Sequence, residues 1–316
     1  MAAVGRRPLG ASGIHVSELA LGSWRTYERI PRDVGIGVIQ KARELGINFL
    51  DDARYNDETG TAPMKSGYSE VVFGELFRAS GWKREEVVLA NKLWWEFWPE
   101  QRAAAELEGS LGRMGMDYID LAYAERPPAG LTMQEIVRDI GALIAAGSLR
   151  AWGVLNWKPE LIVEAVDEAS AQGVPPPCAA QLAYSLVRRS PVEDGEMANA
   201  LDAAGASVVA SFTLDGGALT GKYTEPGATG RLAGRLDDEF HQAALKAARD
   251  LLAFADRLAR KPAPIAIAFA LLNPRVASVL FGATTPEQVV ENVSAAEIAS
   301  AMDEETIADL SKIGIG

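Results

Sequence analysis

Cysteine is almost missing. The 316-residue chain holds one, Cys178, which excludes both a disulfide framework and a cysteine metal cluster. Its apolar neighbours read it as a small buried hydrophobe, not a nucleophile. Histidine is nearly as scarce: His15 and His241 are the two present, and neither closes an apolar, strand-like run. Histidine catalysis and a histidine-rich metal site therefore have little to stand on, and both residues read as structural or merely exposed. Long hydrophobic runs are lacking too. The longest, 265–272, falls far short of the ~20 residues that cross a bilayer. The arginine-bearing first ten residues lead into no apolar segment, so they do not read as a secretory signal. Positive charge is in deficit, with a formal net charge of −12, which argues against nucleic acid or an anionic membrane as partner. The expectation is a cytoplasmic protein acting on small molecules, with no metal. Neither Gly-x-Gly-x-x-Gly, nor a phosphate-loop Gly-Lys-Ser/Thr, nor Gly-x-Ser-x-Gly, nor His-Glu-x-x-His occurs, so any bound nucleotide is not held in the dinucleotide-fold manner.

What is present is an alternation. Strand-like runs fall at 18–22, 48–51, 87–92, 118–124, 151–155, 179–184, 207–211 and 276–281. Amphipathic, helix-length stretches separate or follow them at 33–45, 69–79, 100–114, 132–146, 159–172, 193–204 and 237–272, the last broken at Pro262 and Pro264. Two more helical stretches, 286–296 and 304–313, end the chain. Eight strand–helix units in one chain of this length read as the α/β class, a (β/α)8 TIM barrel. Alternating apolar residues around Gly13 predict an N-terminal β-hairpin plugging one end. No composition break divides the chain, so residues 1–316 read as a single domain. The segments 56–67 and 222–236 are longer than barrel connections need and read as binding loops on the catalytic face. Trp94, Trp95, Phe97 and Trp98, after the third strand, read as an aromatic pocket wall.

The segment Gly46-Ile-Asn-Phe-Leu-Asp-Asp-Ala-Arg-Tyr55 is how a buried parallel strand ends at a barrel mouth, with polar side chains where the apolar walls stop. Lys92 and Glu125 close the next two strand-like runs. Asp51, Tyr55, Lys92 and Glu125 are thus expected on one rim, the lysine lowering the pKa of the tyrosine and the aspartate holding the lysine. Counting back from Glu125 by twos gives Tyr123, Leu121 and Ile119. The glutamate is therefore expected among apolar walls, protonated, as a second donor beside Tyr55. The competing reading is an ionised Glu125 paired with Arg126 or Lys92.

These residues resemble the aldo-keto reductase superfamily over nearly the whole chain. The segments are Arg7-Pro-Leu-Gly-Ala-Ser-Gly-Ile-His-Val-Ser-Glu-Leu-Ala-Leu-Gly-Ser-Trp24, Gly46-Ile-Asn-Phe-Leu-Asp51, Ala90-Asn-Lys92, Asp117-Tyr-Ile-Asp-Leu121, Trp152-Gly-Val-Leu-Asn156, Gln181 with Tyr184-Ser-Leu, Gly217-Ala-Leu-Thr-Gly-Lys-Tyr223, and Gly282-Ala-Thr-Thr-Pro-Glu-Gln288-Val-Val-Glu291-Asn292. The last two are similar to the potassium-channel β-subunit branch. The resemblance implies NADPH-dependent reduction of an aldehyde or ketone, with Asp51, Tyr55 and Lys92 in three of the four catalytic places and Glu125 where the family has histidine. Asp52 and Tyr68 remain alternatives to Asp51 and Tyr55. The glutamate implies, as an alternative, reduction of a conjugated C=C bond (an enone substrate), and the channel-like branch implies a cofactor-sensing regulatory subunit. For the cofactor, the resemblance implies Gly282, Thr284 and Gln288 at a 2′-phosphate and Glu291 and Asn292 at adenine. It puts Lys222 and Arg231 over the phosphates, Asn156 and Gln181 at the nicotinamide amide, and Trp24 on the near wall, with Ser23 and Leu214 completing the set. The helix start at Thr285-Pro286 has the hydroxyl cap and first-turn proline that suit a phosphate.

Overall fold

The computed structural model describes residues 4–57, 60–225 and 227–315. Residues 58 and 59 of the 56–67 loop, and 226 of the 222–236 loop, lie outside the described residues. The chain opens with a hairpin, β1 (Arg6–Pro8) against β2 (His15–Ser17), antiparallel. Strands and helices then alternate: β3 (Leu19–Gly22), α1 (Arg32–Glu44), β4 (Phe49–Asp51), α2 (Tyr68–Ala79), β5 (Val88–Leu93), α3 (Ala103–Met114) and β6 (Ile119–Ala124). Next come α4 (Met133–Ala145), β7 (Leu149–Leu155), α5 (Pro159–Gln172), β8 (Ala179–Ala183), α6 (Ser190–Glu193), α7 (Gly195–Ala204) and β9 (Ser207–Ser211). The chain closes through α8 (Glu239–Arg257), α9 (Pro262–Leu271), β10 (Val276–Phe281), α10 (Pro286–Ala301) and α11 (Glu304–Leu310). Strands β3 to β10 form a closed parallel barrel in which β10 pairs with β3. The expected (β/α)8 barrel and its eight strands are all present.

Period-two alternation decides what fills the barrel. Ala20, Phe49, Val88, Ala90, Leu121, Ala151, Ala179 and Val209 point inward and meet Leu9, Ile14 and Val16 of the hairpin. The hairpin is thus the floor at the strands' N-terminal end. Gly10 makes the contact possible: at φ 52° a Cβ there would sit 2.2 Å from the Cys178 carbonyl oxygen and 2.5 Å from that of Gly205. Large side chains of this interior, such as Phe49, each stabilise the fold by about 1.5–3 kcal/mol. The outer faces of the strands pack on the helices in a second, larger core. Two positions further along, the inward residues turn polar, and the site begins there.

Helix boundaries differ from the sequence reading where capping intervenes. The stretch 193–204 divides at Asp194, whose side chain accepts the Glu196 N–H at 2.8 Å and starts α7. The stretch 237–272 divides before Pro262. That proline starts α9 instead of kinking one long helix, because a first-turn residue has no intrahelical use for an N–H. Among the described residues, no helix is long and apolar enough to cross a membrane.

Candidate active site

The inward positions above Phe49, Ala90 and Ala179 are Asp51, Lys92 and Gln181, all buried. Lys92 Nζ is hydrogen-bonded to the Asp51 carboxylate and also donates to the Asp52 carbonyl at 3.1 Å. The second Asp51 oxygen accepts from Gln181 Nε2 at 2.9 Å. Beneath them lies the Tyr123 ring, its centroid 5.4 Å from Nζ. Asp51 and Lys92 therefore meet as the strand pattern required. A buried pair of this kind gives little net stability, so its place at a barrel mouth points to chemistry.

Asp52 faces the other way. It is fully buried and takes the Ser23 hydroxyl on one oxygen, while the other has no hydrogen-bond partner among the described residues. Burial, reinforced by the neighbouring Glu70 charge, pushes its pKa well above the ordinary carboxylate range and favours the neutral acid. Ser23 is consequently spent on Asp52 and does not line the cleft described below, contrary to its expected place at the cofactor.

Tyr55 also departs from expectation. Its hydroxyl accepts the Arg25 N–H at 2.7 Å and donates to Glu28. Burial first, then the Glu28 carboxylate, raises its pKa, where a neighbouring ammonium had been expected to lower it. The cause lies one residue earlier. Arg54 is buried and bonded to Glu106 at 2.8 Å and Glu96 at 3.1 Å, and this anchor turns the following residue toward the segment after β3. Tyr68, the alternative, accepts from Arg32 Nη2 at 3.0 Å on the outer side of α2. Neither phenol lines the cleft.

Glu125 is not enclosed by apolar walls. Strand β6 ends at Ala124, so the alternation that carries Leu121 and Tyr123 inward stops one residue short. The Glu125 carboxylate accepts the Arg126 N–H at 2.9 Å and lies 3.5 Å from the Arg126 guanidinium. This is the paired arrangement, with no contact to Tyr55 or Lys92. Of the four aromatics after β5, Trp94 alone lines the cleft. Trp95 is buried and donates its indole N–H to the Glu125 carbonyl at 3.0 Å.

A cleft of about 1030 Å³ runs across the C-terminal ends of the strands. Asp51, Lys92, Trp24, Asn156, Gln181 and Leu214 line its inner part. Lys222 and Arg231 line it from the long loop, and Gly282, Thr284, Gln288, Glu291 and Asn292 from the end of β10 and the start of α10. Every cofactor position expected from the sequence except Ser23 is here. Sequence reasoning missed Phe212, Arg25, Arg29 and Lys261, which also line it. An aromatic directly after an apolar strand was the available signal for Phe212.

The cleft suits an anion, in a chain whose net charge is negative. Lys222 Nζ and the Arg231 guanidinium pair with no carboxylate among the described residues; Arg231 donates instead to the Trp24 carbonyl at 3.1 Å. Gly230, at φ 131°, keeps room for that lysine, since a Cβ there would lie 2.5 Å from Nζ. At the far end Thr285 caps α10 by accepting the Gln288 N–H, and Lys261 pairs with Glu291 at 2.6 Å. Backbone N–H groups at a helix start and two unpaired cations match the phosphates of a dinucleotide. No grouping of histidine, cysteine and acidic residues able to hold a metal occurs among the described residues.

Residues 18–315 match the sequence profile described as the Aldo/keto reductase family. The chain is also similar, at 30% identity over 95% of its length and 93% of the relative's, to a probable voltage-gated potassium channel subunit beta of Oryza sativa subsp. japonica. A putative voltage-gated potassium channel subunit beta of Schizosaccharomyces pombe is 30% identical over 97% of this chain and 92% of its own. A probable subunit beta of Arabidopsis thaliana is 30% identical over 92% and 90%.

Proposed function

The chain belongs to the aldo/keto reductase family, and from that premise we propose that it is an NADPH-dependent oxidoreductase reducing an aldehyde or ketone at Asp51 and Lys92. One observation carries the reading: a single cleft joins the buried Asp51–Lys92 pair to the α10 N-terminus and is also lined by Lys222 and Arg231, which pair with no carboxylate among the described residues. A bound nicotinamide supplies the hydride. Lys92 meets the negative charge that develops on the carbonyl oxygen and delivers the proton that completes the alcohol. Asp51 holds the ammonium in place, and Gln181 holds Asp51. Asn156 and Gln181 would hold the nicotinamide end, and Gly282, Thr284 and Gln288 the 2′-phosphate, when the cofactor binds.

Tyr55 acts as the proton donor only by leaving Arg25 and Glu28, so Lys92 is the donor in the arrangement described. Glu125, paired with Arg126, lends no support to reduction of a conjugated C=C bond. A second reading, a cofactor-sensing subunit of a channel, is favoured by the names of the relatives. The intact Asp51–Lys92 pair favours turnover. The test is quenching of NADPH fluorescence by the protein, followed by product analysis with an aldehyde, a ketone and an enone. Alcohols from the first two, and an allylic alcohol from the enone, support the reading. Binding without any product supports the subunit, and a saturated ketone supports the C=C reductase.

A further inference from the structure

Four of the six residues 212–217, which follow β9, lie in the left-handed region: Phe212 at φ 57°, Asp215 at 48°, Gly216 at 66° and Gly217 at 95°. Two of these are not glycine. A side chain makes that conformation costly, so it lasts only where surrounding contacts enforce it. Phe212, Leu214, Gly216 and Gly217 line the cleft. Asp215, in their midst, does not, and its carboxylate is fully buried. The strained segment is thus part of the cleft wall, and the contacts that enforce its shape lie outside the cleft.

Three elements meet at that carboxylate. Arg188, in the turn after β8, donates Nε to one oxygen at 2.6 Å and Nη2 to the other at 3.3 Å. His241, in the first turn of α8, is buried, with Nδ1 3.0 Å from Asp215. A carboxylate only accepts, so Nδ1 is the donor. Arg188 Nη2 also donates to the Phe240 carbonyl at 2.8 Å. Its guanidinium lies over the Phe240 and Phe212 rings, 3.7 Å and 5.4 Å from their centroids, and the Phe212 and His241 rings stack at 6.3 Å. Among the described residues, Asp215 is the one carboxylate paired with either Arg188 or His241. A single side chain therefore ties the cleft wall to the turn after β8 and to the start of α8.

We propose that Asp215 is a positioning residue for the cofactor: held by Arg188 and His241, it keeps segment 212–217 in the shape that receives the dinucleotide beyond its adenosine end, without touching the nucleotide itself. This role rests on the reductase reading and deepens it. A buried ion pair contributes little net stability, so the cluster serves the shape of the wall more than the folding of the chain. Where binding groups are not pre-set, the ligand bears the cost of ordering them. Loosening the segment moves that cost onto the nucleotide. Gly217 passes the effect to Lys222, since its backbone abuts that side chain: a Cβ there would lie 3.4 Å from Nζ. The α10 end of the cleft shares none of the Asp215 contacts among the described residues, so a ligand confined to that end is indifferent to Asp215.

The test compares NADPH with 2′-AMP, which carries the adenosine and the 2′-phosphate alone, in the full-length protein. Fluorescence quenching gives the Kd of NADPH and calorimetry that of 2′-AMP. Asp215→Asn is expected to weaken NADPH about tenfold and to leave 2′-AMP unchanged. Should that variant, with Arg188 stranded, fail to fold, His241→Leu removes one arm of the cluster and is expected to act in the same direction by a smaller factor. His241→Asn, whose amide donates where Nδ1 does, is expected to match the parent. The ratio of the two constants is read within each protein, so a general loosening of the fold, which weakens both ligands alike, cancels. A ratio unchanged in the folded variants overturns the role and leaves the cluster structural. So does a loss in His241→Asn equal to that in His241→Leu. If the parent binds neither ligand, the cofactor reading itself fails and Asp215 has nothing to position. If the parent binds both and the ratio stays fixed, the cofactor reading stands and this role alone falls.

Discussion

The Tyr55 hydroxyl accepts the backbone N–H of Arg25 at 2.7 Å. This bond ties the turn after β3 to the turn after β4, and with the bond to Glu28 it aims the phenol along the rim instead of toward Lys92. Tyr55→Phe leaves the Arg25 N–H without its acceptor and takes the phenol from Glu28, which keeps Arg29, at a cost of about 1–3 kcal/mol. The expected result is a lower Tm with a kcat loss smaller than the ~10²-fold that removal of a general acid costs. Thermal unfolding and steady-state turnover of the variant check it. Loss of turnover at unchanged NADPH binding would make Tyr55 the proton donor after all.

Lys92 and Asp51 behave differently, because each neutralises the other in a buried place. Lys92→Met strands a buried carboxylate and is expected to destabilise the fold by about 3–5 kcal/mol. It is also expected to lower kcat by about 10²–10³-fold through loss of the donor facing the developing oxyanion. The double variant Lys92→Met with Asp51→Asn removes the stranded charge. Its urea midpoint is expected to recover while its kcat does not. A recovery of both would make the pair structural.

Asp52 gives a pH dependence whose sign follows from its raised pKa. The folded state keeps the proton above the unfolded value of about 3.9. The stabilisation from holding it neutral is complete below that value and is lost as pH rises through the folded value. Asp52→Asn keeps the neutral shape at all pH values. Measured by urea unfolding, the variant is therefore expected to gain on the parent between pH 5 and pH 8. A gap between the two that stays constant over that range would mean the carboxyl is ionised.

How far the site could be read in advance depended on whether a residue lay inside a strand. Phe49 and Asp51, or Val88, Ala90 and Lys92, are paired in the ladder, where alternation dictates direction, so the barrel and the Asp51–Lys92 contact were legible. The capped start of α10 was legible too, because a helix start has its own chemistry, here at Thr285 and Pro286. Past the strand ends that logic stops. Glu125 lies one residue past β6, and Tyr55 follows an arginine anchored to Glu106. Arg25 and Phe212 occupy left-handed turns at φ 52° and 57°, a conformation with no period to extrapolate. The residues that distinguish this cleft are those whose direction is set by tertiary contacts.

Lys222 and Arg231 carry the last prediction. Both line the cleft from the long loop without a carboxylate partner among the described residues, so under the proposed reading each is expected to offer an unspent charge to an incoming phosphate. Lys222→Met and Arg231→Met are each expected to weaken NADPH binding about tenfold. The parent's affinity is expected to fall with added salt, and less steeply in either variant, because one fewer charge is screened. Fluorescence quenching titrations at two ionic strengths measure both quantities. The two cations lie on different sides of Gly230, whose missing side chain leaves room for Lys222 Nζ. Gly230→Ala, which crowds that ammonium, is expected to weaken binding as Lys222→Met does. Unchanged affinity in all three variants would mean that the loop takes no part in holding the nucleotide.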